Sequence, residues 1–338
     1  MILYIGNKLS KYGVTPTSVE TLGAKLQEIE EVLSISDKKN KVNRFFDAIF
    51  TIIKNRKKIN LVLIDTYSTS NFYYALVSSL TSRLFSIPYV PILHGGALPD
   101  RLKSSPHLSR ILFKNAAINI SPSHYLLAVF QAAGFNTKYI PNFIETGMYP
   151  TKRRDKLSPR LLYVRSFHEI YNPKMAIRTL AILQKIYSNI ELCMVGPNKD
   201  GSKEEVEDLA TELGVSEHLK ITGKLSKVAW IALSADYDIF INTTNYDNLP
   251  VSIIEAMCLG FPIVSTNAGG LPFLIEDGKD GLLVDKNDAG AMAEKIAKLL
   301  ENSALASKTS MAAISKGNSF DWNIIKKDWE KLIESIKN

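Results

Sequence analysis

Ile239-Phe240-Ile241-Asn242-Thr243-Thr244 runs through a short turn into Asp247-Asn248-Leu249-Pro250-Val251-Ser252-Ile253-Ile254-Glu255-Ala256-Met257. The first run is β-branched and apolar between polar neighbours, which predicts a short buried strand. Pro250 has a φ suited to the first helical position and no N–H to leave unpaired, so Leu249-Pro250 reads as a helix start, with Ile253, Ile254 and Met257 as its apolar side. Asp247 and Glu255 therefore bracket a strand-to-helix turn. The first N–H groups of such a helix have no internal partner and carry partial positive charge, so the turn can receive a phosphate. Glu255 lies more than one turn inside, where a carboxylate suits a hydroxyl-rich neighbour of the phosphate, such as a ribose diol. The expected ligand is a nucleotide.

The same rhythm repeats outward from this stretch. Upstream come strands at Arg160–Arg165, Ile190–Val195 and Leu219–Thr222 with helices Pro173–Tyr187, Lys203–Leu213 and Ser226–Ser234, and downstream a strand Phe261–Thr266 closing at Asn267-Ala268-Gly269-Gly270. An earlier series holds strands at Met1–Gly6, Asn60–Asp65, Tyr89–Leu93, Ala116–Ser121 and Lys138–Asn142, with helices Val19–Gln27, Asn71–Phe85 and His107–Lys114. At 338 residues the chain exceeds what one core usually supports. Two consecutive series predict an α/β fold of two Rossmann-like, doubly wound parallel-sheet domains facing across a cleft. Their expected bounds are 1–150 and 151–318, with a terminal helix in 319–338. The polar, basic Thr151–Lys156 reads as the linker.

Composition excludes several classes. The longest apolar region, Phe72–Gly95, is broken by Arg83, Pro88 and Pro91 and falls short of the ~20 uninterrupted apolar residues of a membrane span. Met1–Gly6 is too short and lacks the basic leader of a targeting peptide. Two cysteines, Cys193 and Cys258, fit a reducing compartment without a disulfide framework. A cytoplasmic location follows, with peripheral contact to the inner face of the cytoplasmic membrane as a candidate.

That candidate rests on charge. Residues 1–150 hold 17 Lys/Arg against 9 Asp/Glu, whereas residues 151–338 hold 24 against 25, so the whole surplus lies in the first half. Aromatic interleaving of the RNA-reading kind and zinc or helix-turn-helix signatures are absent, which leaves no nucleic-acid partner and favours an anionic membrane surface or anionic acceptor. The segment Val42–Lys54 places Val42, Phe45, Phe46, Ile49, Phe50 and Ile53 on one helical face between basic ends. A crossover helix on the sheet and a membrane-surface helix both fit.

Three further positions stand out. His94-Gly95-Gly96 ends a strand, where ligands collect in open α/β sheets, and the glycines permit close backbone approach. Gly13 opens a loop, Val14-Thr15-Pro16-Thr17-Ser18, that leads to a helix start able to meet phosphate or sugar. Gly196-Pro197 closes another strand. His107, His124, His168 and His218 have no partners at ligand spacing and read as structural.

The ensemble resembles a GT-B fold retaining glycosyltransferase of family four (glycosyl transferases group 1). The hallmark is a pair of acidic residues with seven positions between them, on a strand-turn-helix followed by two glycines; here these are Asp247, Glu255 and Gly269-Gly270. Ile140-Pro141-Asn142, His94, Arg165 and the helix Asp321–Ile336, which in such enzymes crosses back to the first domain, are weaker echoes. The resemblance implies transfer of a hexose-type sugar from a nucleotide-sugar donor to a glycan or lipid-linked acceptor, as in bacterial cell-surface polysaccharide synthesis. Glu255 would hold the ribose, Asp247 the sugar hydroxyls, and Arg165 the diphosphate, with Pro250, Val251 and Ser252 at the helix start. Lys174 is the candidate second cation, Gly196 lies where the base would rest, His94 against the transferred sugar, and Gly13 facing the reacting centre. The leaving phosphate needs fixed donors and cations rather than a metal, and no Asp-x-Asp pair stands in the right context, so no metal or other cofactor is expected.

The chain departs from the family pattern in places. Aspartate stands at 247 where glutamate is commoner, Leu271-Pro272-Phe273 places an aromatic where an acidic residue is frequent, and nine positions separate Lys174 from Arg165. A nucleotide-sugar epimerase or hydrolase of the same fold and a non-catalytic sugar-binding module are the competing readings.

Overall fold

A computed structural model describes residues 1–13, 16–38 and 40–337, the side chain of Lys41 excepted. It divides into two compact units, Met1–Phe143 with Asn323–Asn338, and Ile144–Trp322. Val14 and Thr15 of the Gly13 loop lie outside the described residues.

In the first unit the elements run β1 (Ile2–Ile5), α1 (Ser18–Leu26), β2 (Val32–Ile35), α2 (Lys41–Asn55), β3 (Leu61–Thr66), α3 (Asn71–Leu84), β4 (Tyr89–Leu93), α4 (Leu98–Ser104), α5 (Pro106–Lys114), β5 (Asn119–Ser121), α6 (His124–Ala132) and β6 (Thr137–Tyr139). The second unit continues with β7 (Arg160–Val164), α7 (Pro173–Gln184), β8 (Glu191–Val195), α8 (Ser202–Glu212), β9 (Leu219–Gly223), α9 (Lys227–Leu233), β10 (Ile239–Asn242), α10 (Val251–Cys258), β11 (Ile263–Thr266), α11 (Leu271–Leu274), β12 (Leu282–Val284), α12 (Ala289–Glu301) and α13 (Ser303–Asn318). A last helix, α14 (Trp322–Lys337), returns to the first unit, where Lys326 pairs with Glu28 at 3.2 Å and Lys337 with Glu30 at 2.7 Å.

Each unit is a six-stranded parallel sheet, in the orders β2-β1-β3-β4-β5-β6 and β12-β11-β10-β7-β8-β9. The expected pair of doubly wound Rossmann-like sheets is the observed architecture. Period-two alternation covers both faces of the second sheet: Leu162, Cys193 and Phe240 enter one core, and Leu161, Tyr163, Leu192 and Ile241 the other. In the first unit Phe113 stands edge-on to Phe130 at 4.9 Å within a core built from Leu3, Ile5, Val62 and Ile64. The edge strands β2 and β12, of four and three residues, are too short to stand out in the apolar pattern.

The two sheets reverse their strand order between β1 and β3 and between β7 and β10. At such a switch point the loops leave in opposite directions and open a crevice beyond the strand ends.

Two local expectations change. The segment Thr151–Lys156 is no loose linker. Arg154 is 2% exposed, its guanidinium donates to the carbonyls of Leu259, Ser234 and Tyr237 at the ends of neighbouring helical turns, and it lies 3.6 Å over the Phe261 ring. Helix C-termini leave carbonyls unpaired and attract cations, a demand that local composition does not reveal. Burial lowers the Arg154 pKa to about 10, against the favourable pull of Asp238. In α2 the apolar face read from the sequence is split: Arg44, Ala48 and Ile52 turn inward, while Val42, Phe46 and Phe50 are 60%, 48% and 65% exposed.

Candidate functional site

In the second unit Arg165 follows β7 and Asp247 follows β10, on the two sides of the switch point. Their loops are laced together by Asn245 N–H donating to Ile170 O at 2.8 Å and by Thr243 Oγ1, which lies 2.9 Å from both Tyr171 O and Asn172 O. Arg165 and Asp247 form an ion pair, the guanidinium lies 4.3 Å over the Tyr171 ring, and Asp247 Oδ1 accepts from Asn248 N at 2.9 Å. Arg165 Nε is buried without a hydrogen-bond partner among the described residues. The guanidinium is thus positioned by one carboxylate and one ring, with donor capacity left over.

Pro250 stands one position earlier than expected. It is the N-cap, with φ −70° and ψ 112°, and the helix begins at Val251. An extended ψ at the cap turns the chain from the Asp247 loop into α10. Ser252 Oγ in the first turn is buried without a hydrogen-bond partner among the described residues. Glu255 is 4% exposed, and its Oε1 accepts from Tyr149 Oη at 2.8 Å and also meets the Lys227 ammonium. No hydrogen bond among the described residues uses Oε2. Burial, and then the charge of Glu255, push the Tyr149 hydroxyl pKa well up, so Tyr149 serves as the donor.

Tyr149 and Lys227 are the two site residues that sequence reasoning misses. Lys227 opens a helix found from the sequence, but nothing in its 28-residue separation from Glu255 signals a pairing. Lys174 does not join the cluster: its ammonium is held by Glu205 of α8 at 2.6 Å, on the surface. Spacing along the chain could not distinguish the two lysines, because α7 and α9 present them through tertiary packing.

Two glycine sites let backbone segments pass close beside the Arg165 and Asp247 loops. A Cβ on Gly196 would stand 1.9 Å from Arg165 O, so only glycine lets the β8 loop pass the Arg165 backbone. Gly269, at φ +57°, and Gly270 meet Asp247 and Asn248 in the same way.

In the first unit His94 follows β4. Its Nε2 lies 2.7 Å from Asp65 Oδ1, which also accepts from Tyr4 Oη at 2.9 Å, and its ring stacks on Tyr67 at 5.0 Å. Burial, then Asp65, push the Tyr4 pKa well up, which keeps that hydroxyl a donor. With Nε2 held by Asp65, Nδ1 is the His94 ring nitrogen left to meet a ligand. Asp65 Oδ2 is buried without a hydrogen-bond partner among the described residues, beside Gly6, where a Cβ would approach it to 2.5 Å. Gly13, at φ +79°, caps the turn Ser10–Tyr12; the start of α1 beyond it is engaged by Glu20, which accepts from Thr17 N at 3.3 Å and Ser10 N at 3.2 Å. Both cysteines are free and buried, and no described helix is long and apolar enough to cross a membrane.

Residues 150–316 match the family model "Glycosyl transferases group 1". The chain is 26% identical over 179 residues to a D-inositol 3-phosphate glycosyltransferase of Corynebacterium jeikeium, a match covering 52% of this chain and 43% of the relative. It is 27% identical over 176 residues to the lipopolysaccharide core biosynthesis glycosyltransferase LpsE of Rhizobium meliloti, covering 51% and 49%. The matches thus span less than half of either relative. Among solved structures, Anabaena Alr3699/HepE in complex with UDP-glucose aligns with TM-score 0.80 at 18% identity over 99% of both chains. The sucrose-phosphate synthase of Thermosynechococcus elongatus aligns with TM-score 0.79 at 15% identity over 99% of this chain and 98% of that one. The two Rossmann-like sheets and these neighbours show the GT-B architecture, and residues 150–316 are similar to the group 1 glycosyl transferases.

Proposed function

We propose that the chain is a retaining glycosyltransferase of family four that moves a hexose-type sugar from a nucleotide-sugar donor to a glycan or lipid-linked acceptor in bacterial cell-surface polysaccharide synthesis, working in the cytoplasm. The observation that carries this reading is the juxtaposition of Arg165 with Asp247, and of Lys227 with Glu255, around the start of α10. One carboxylate sits at the turn and one inside the helix, each already paired with a cation. The names of the relatives and the bound UDP-glucose of Anabaena Alr3699/HepE support the same reading.

The chemistry follows from the charges. Cleavage of the anomeric C–O bond leaves negative charge on the departing diphosphate, which Arg165, Lys227 and the first N–H groups of α10 are suited to stabilise. Asp247 then holds sugar hydroxyls and Glu255 Oε2 the ribose. In the proposed step the acceptor oxygen attacks the same face, the bond to the leaving phosphate oxygen breaks, and that oxygen takes the acceptor's proton. This needs neither a protein nucleophile nor a metal. His94 is the polar group assigned to the transferred sugar.

A thermal-shift screen of nucleoside diphosphates and their sugars tests the donor. A ligand at a hundred times its Kd stabilises by about 2.7 kcal/mol. Stabilisation by one nucleotide class, undiminished by a chelator, is expected, together with product carrying the donor's anomeric configuration. A flat screen overturns the reading, and nucleotide-sugar consumption without acceptor product transfers it to an epimerase or hydrolase.

A further inference from the structure

Asp65 is a buried carboxylate of the first unit to which the sugar-transfer chemistry gives no role. It stands near the carboxyl end of β3, 2% exposed, opposite Ile92 of β4 and one position past Ile64, which pairs with Ile5 of β1. These three strand ends bring Tyr4, Asp65 and His94 together at the switch point, where a doubly wound sheet takes ligands. The hydrogen bonding is lopsided. Oδ1 takes both donors, Tyr4 Oη at 2.9 Å and His94 Nε2 at 2.7 Å, whereas Oδ2 has no hydrogen-bond partner among the described residues. A proton on Oδ2 would find no acceptor. An ionised carboxylate can only accept, so with Asp65 ionised the shared proton belongs to His94 Nε2.

The ring is held in that pose from several sides. It stacks on Tyr67 at 5.0 Å and 25°, and the loop carrying Tyr67 is tied to α4 by Arg101, whose Nε donates to Ser68 O at 2.8 Å. The His94 backbone N–H donates to Thr66 O at 2.8 Å. Turning the ring would break its bond to Asp65 and leave Tyr4 as the carboxylate's one donor, a costly state for a buried charge. Gly6 keeps the space: a Cβ there would come within 2.5 Å of Asp65 Oδ2 and 2.7 Å of Val19 Cβ. Around the cluster, burial and then the charge of Asp65 push the Tyr67 hydroxyl up, and Tyr74 of α3 feels Asp65 together with Asp47 and Arg44 of α2. Among the described residues the ion-pair partner of Asp65 is His94.

We propose that Asp65 is a positioning residue that keeps the proton of His94 on Nε2, so that Nδ1 presents a lone pair and takes a hydrogen bond from a ligand hydroxyl. The group received there has a proton to give. A carboxylate has none, and would meet a lone pair backed by a second carboxylate. Assigning that hydroxyl to the transferred sugar rests on the transferase reading, and makes the sugar a neutral hexose rather than a uronic acid; the placement of the proton does not rest on it.

Nitrogen NMR of the full chain with isotope-labelled histidines, at mildly alkaline pH, reads the proton's place directly. The expected signal is a slowly exchanging, far-downfield proton bonded to His94 Nε2, assigned by its loss in His94→Gln, with Nδ1 bare. Asp65→Asn, nearly isosteric, should move that proton upfield or abolish it, because a neutral amide replaces a charge-assisted acceptor. Tyr4→Phe removes only the other donor and should keep it. A proton on Nδ1, or an Nε2 proton indifferent to Asp65→Asn, overturns the proposal. Turnover tests the ligand: Asp65→Asn should lower kcat at least about tenfold while thermal shifts by UDP-glucose or GDP-mannose persist. The parent chain should turn over UDP-glucose or GDP-mannose at least about tenfold faster than UDP-glucuronate or GDP-mannuronate. Equal rates on the uronates, or undiminished kcat in Asp65→Asn, overturn the hydroxyl assignment. The expected proton in a chain that responds to no nucleotide sugar supports the role of Asp65 and overturns the transferase reading instead.

Discussion

Gly270 lies so close to Asn248 that a Cβ on it would stand 1.7 Å from the Asn248 carbonyl oxygen, while the Gly270 N–H donates to Asp247 O at 2.9 Å. The glycine pair is therefore a mould for the acidic turn. Gly270→Ala must push the Asp247-Asn248 backbone away, at a cost of about 1–3 kcal/mol or more by the measure of overpacked sites. Chemical denaturation should show that loss, and nucleotide binding should fall with it; an alanine variant as stable and as nucleotide-responsive as the parent would refute the mould.

Arg165 is held by Asp247 and by the Tyr171 ring, with Nε left without a hydrogen-bond partner among the described residues. If it stabilises the leaving diphosphate, Arg165→Ala lowers kcat by about 10²–10³ in the manner of a lost transition-state donor. Arg165→Lys should recover little, because a point ammonium does not reproduce the planar fork. Initial rates at saturating donor decide this, and undiminished kcat in Arg165→Ala would assign Arg165 to the surface ion pairs.

Glu255 Oε1 is shared by Tyr149 and Lys227. Tyr149→Phe removes a donor from a buried carboxylate, and a hydrogen bond to a charged group contributes about 1.5–3 kcal/mol. A loss of stability in that range is expected, with weaker nucleotide binding that raises KM more than it lowers kcat. Equilibrium unfolding and a nucleotide titration of the same variant measure both; a stable variant with unaltered affinity would detach Tyr149 from the site.

Cys258 is buried on the inner side of α10, and burial, reinforced by the charge of Glu255, pushes its pKa up to about 12, while Cys193 is raised as well by burial. Native protein should leave both thiols unreactive towards an aromatic disulfide reagent at mildly alkaline pH, and denaturant should release both. For Cys258 the folded state keeps its proton where the unfolded thiol, with its ordinary value near 9.0, has begun to lose it. The native state then binds more protons, so this contribution to stability is complete below that ordinary value and declines as pH rises through the window up to about 12. Rapid labelling of either native thiol would contradict this.

Much of the architecture was legible because parallel strands buried on both faces are short apolar runs, and Ile239–Asn242 or Glu191–Val195 need no partner to be noticed. Asp247, Glu255 and Gly269-Gly270 were legible for a different reason: one strand-turn-helix carries the carboxylates, and the loop that follows carries the glycines. The misread positions answer to distant groups. Arg154 looked like linker charge because the carbonyls it holds, at Ser234, Tyr237 and Leu259, lie 80 to 105 positions away. The inward turn of Arg44 was equally hidden, since its helix taken alone directs its apolar moment toward Phe46 and Phe50.

By itself, then, the sequence determined two α/β series, the acidic pair on its helix start and the glycines that allow close backbone passage, all consequences of local periodicity and local sterics. Only the tertiary structure decided that Lys227 rather than Lys174 meets Glu255, that Tyr149 donates to the same oxygen, and that Arg44 is buried with its Nη1 lacking a hydrogen-bond partner among the described residues. A charged side chain takes its role from the groups packed around it, and those groups are brought together by strand order rather than by neighbouring positions in the chain.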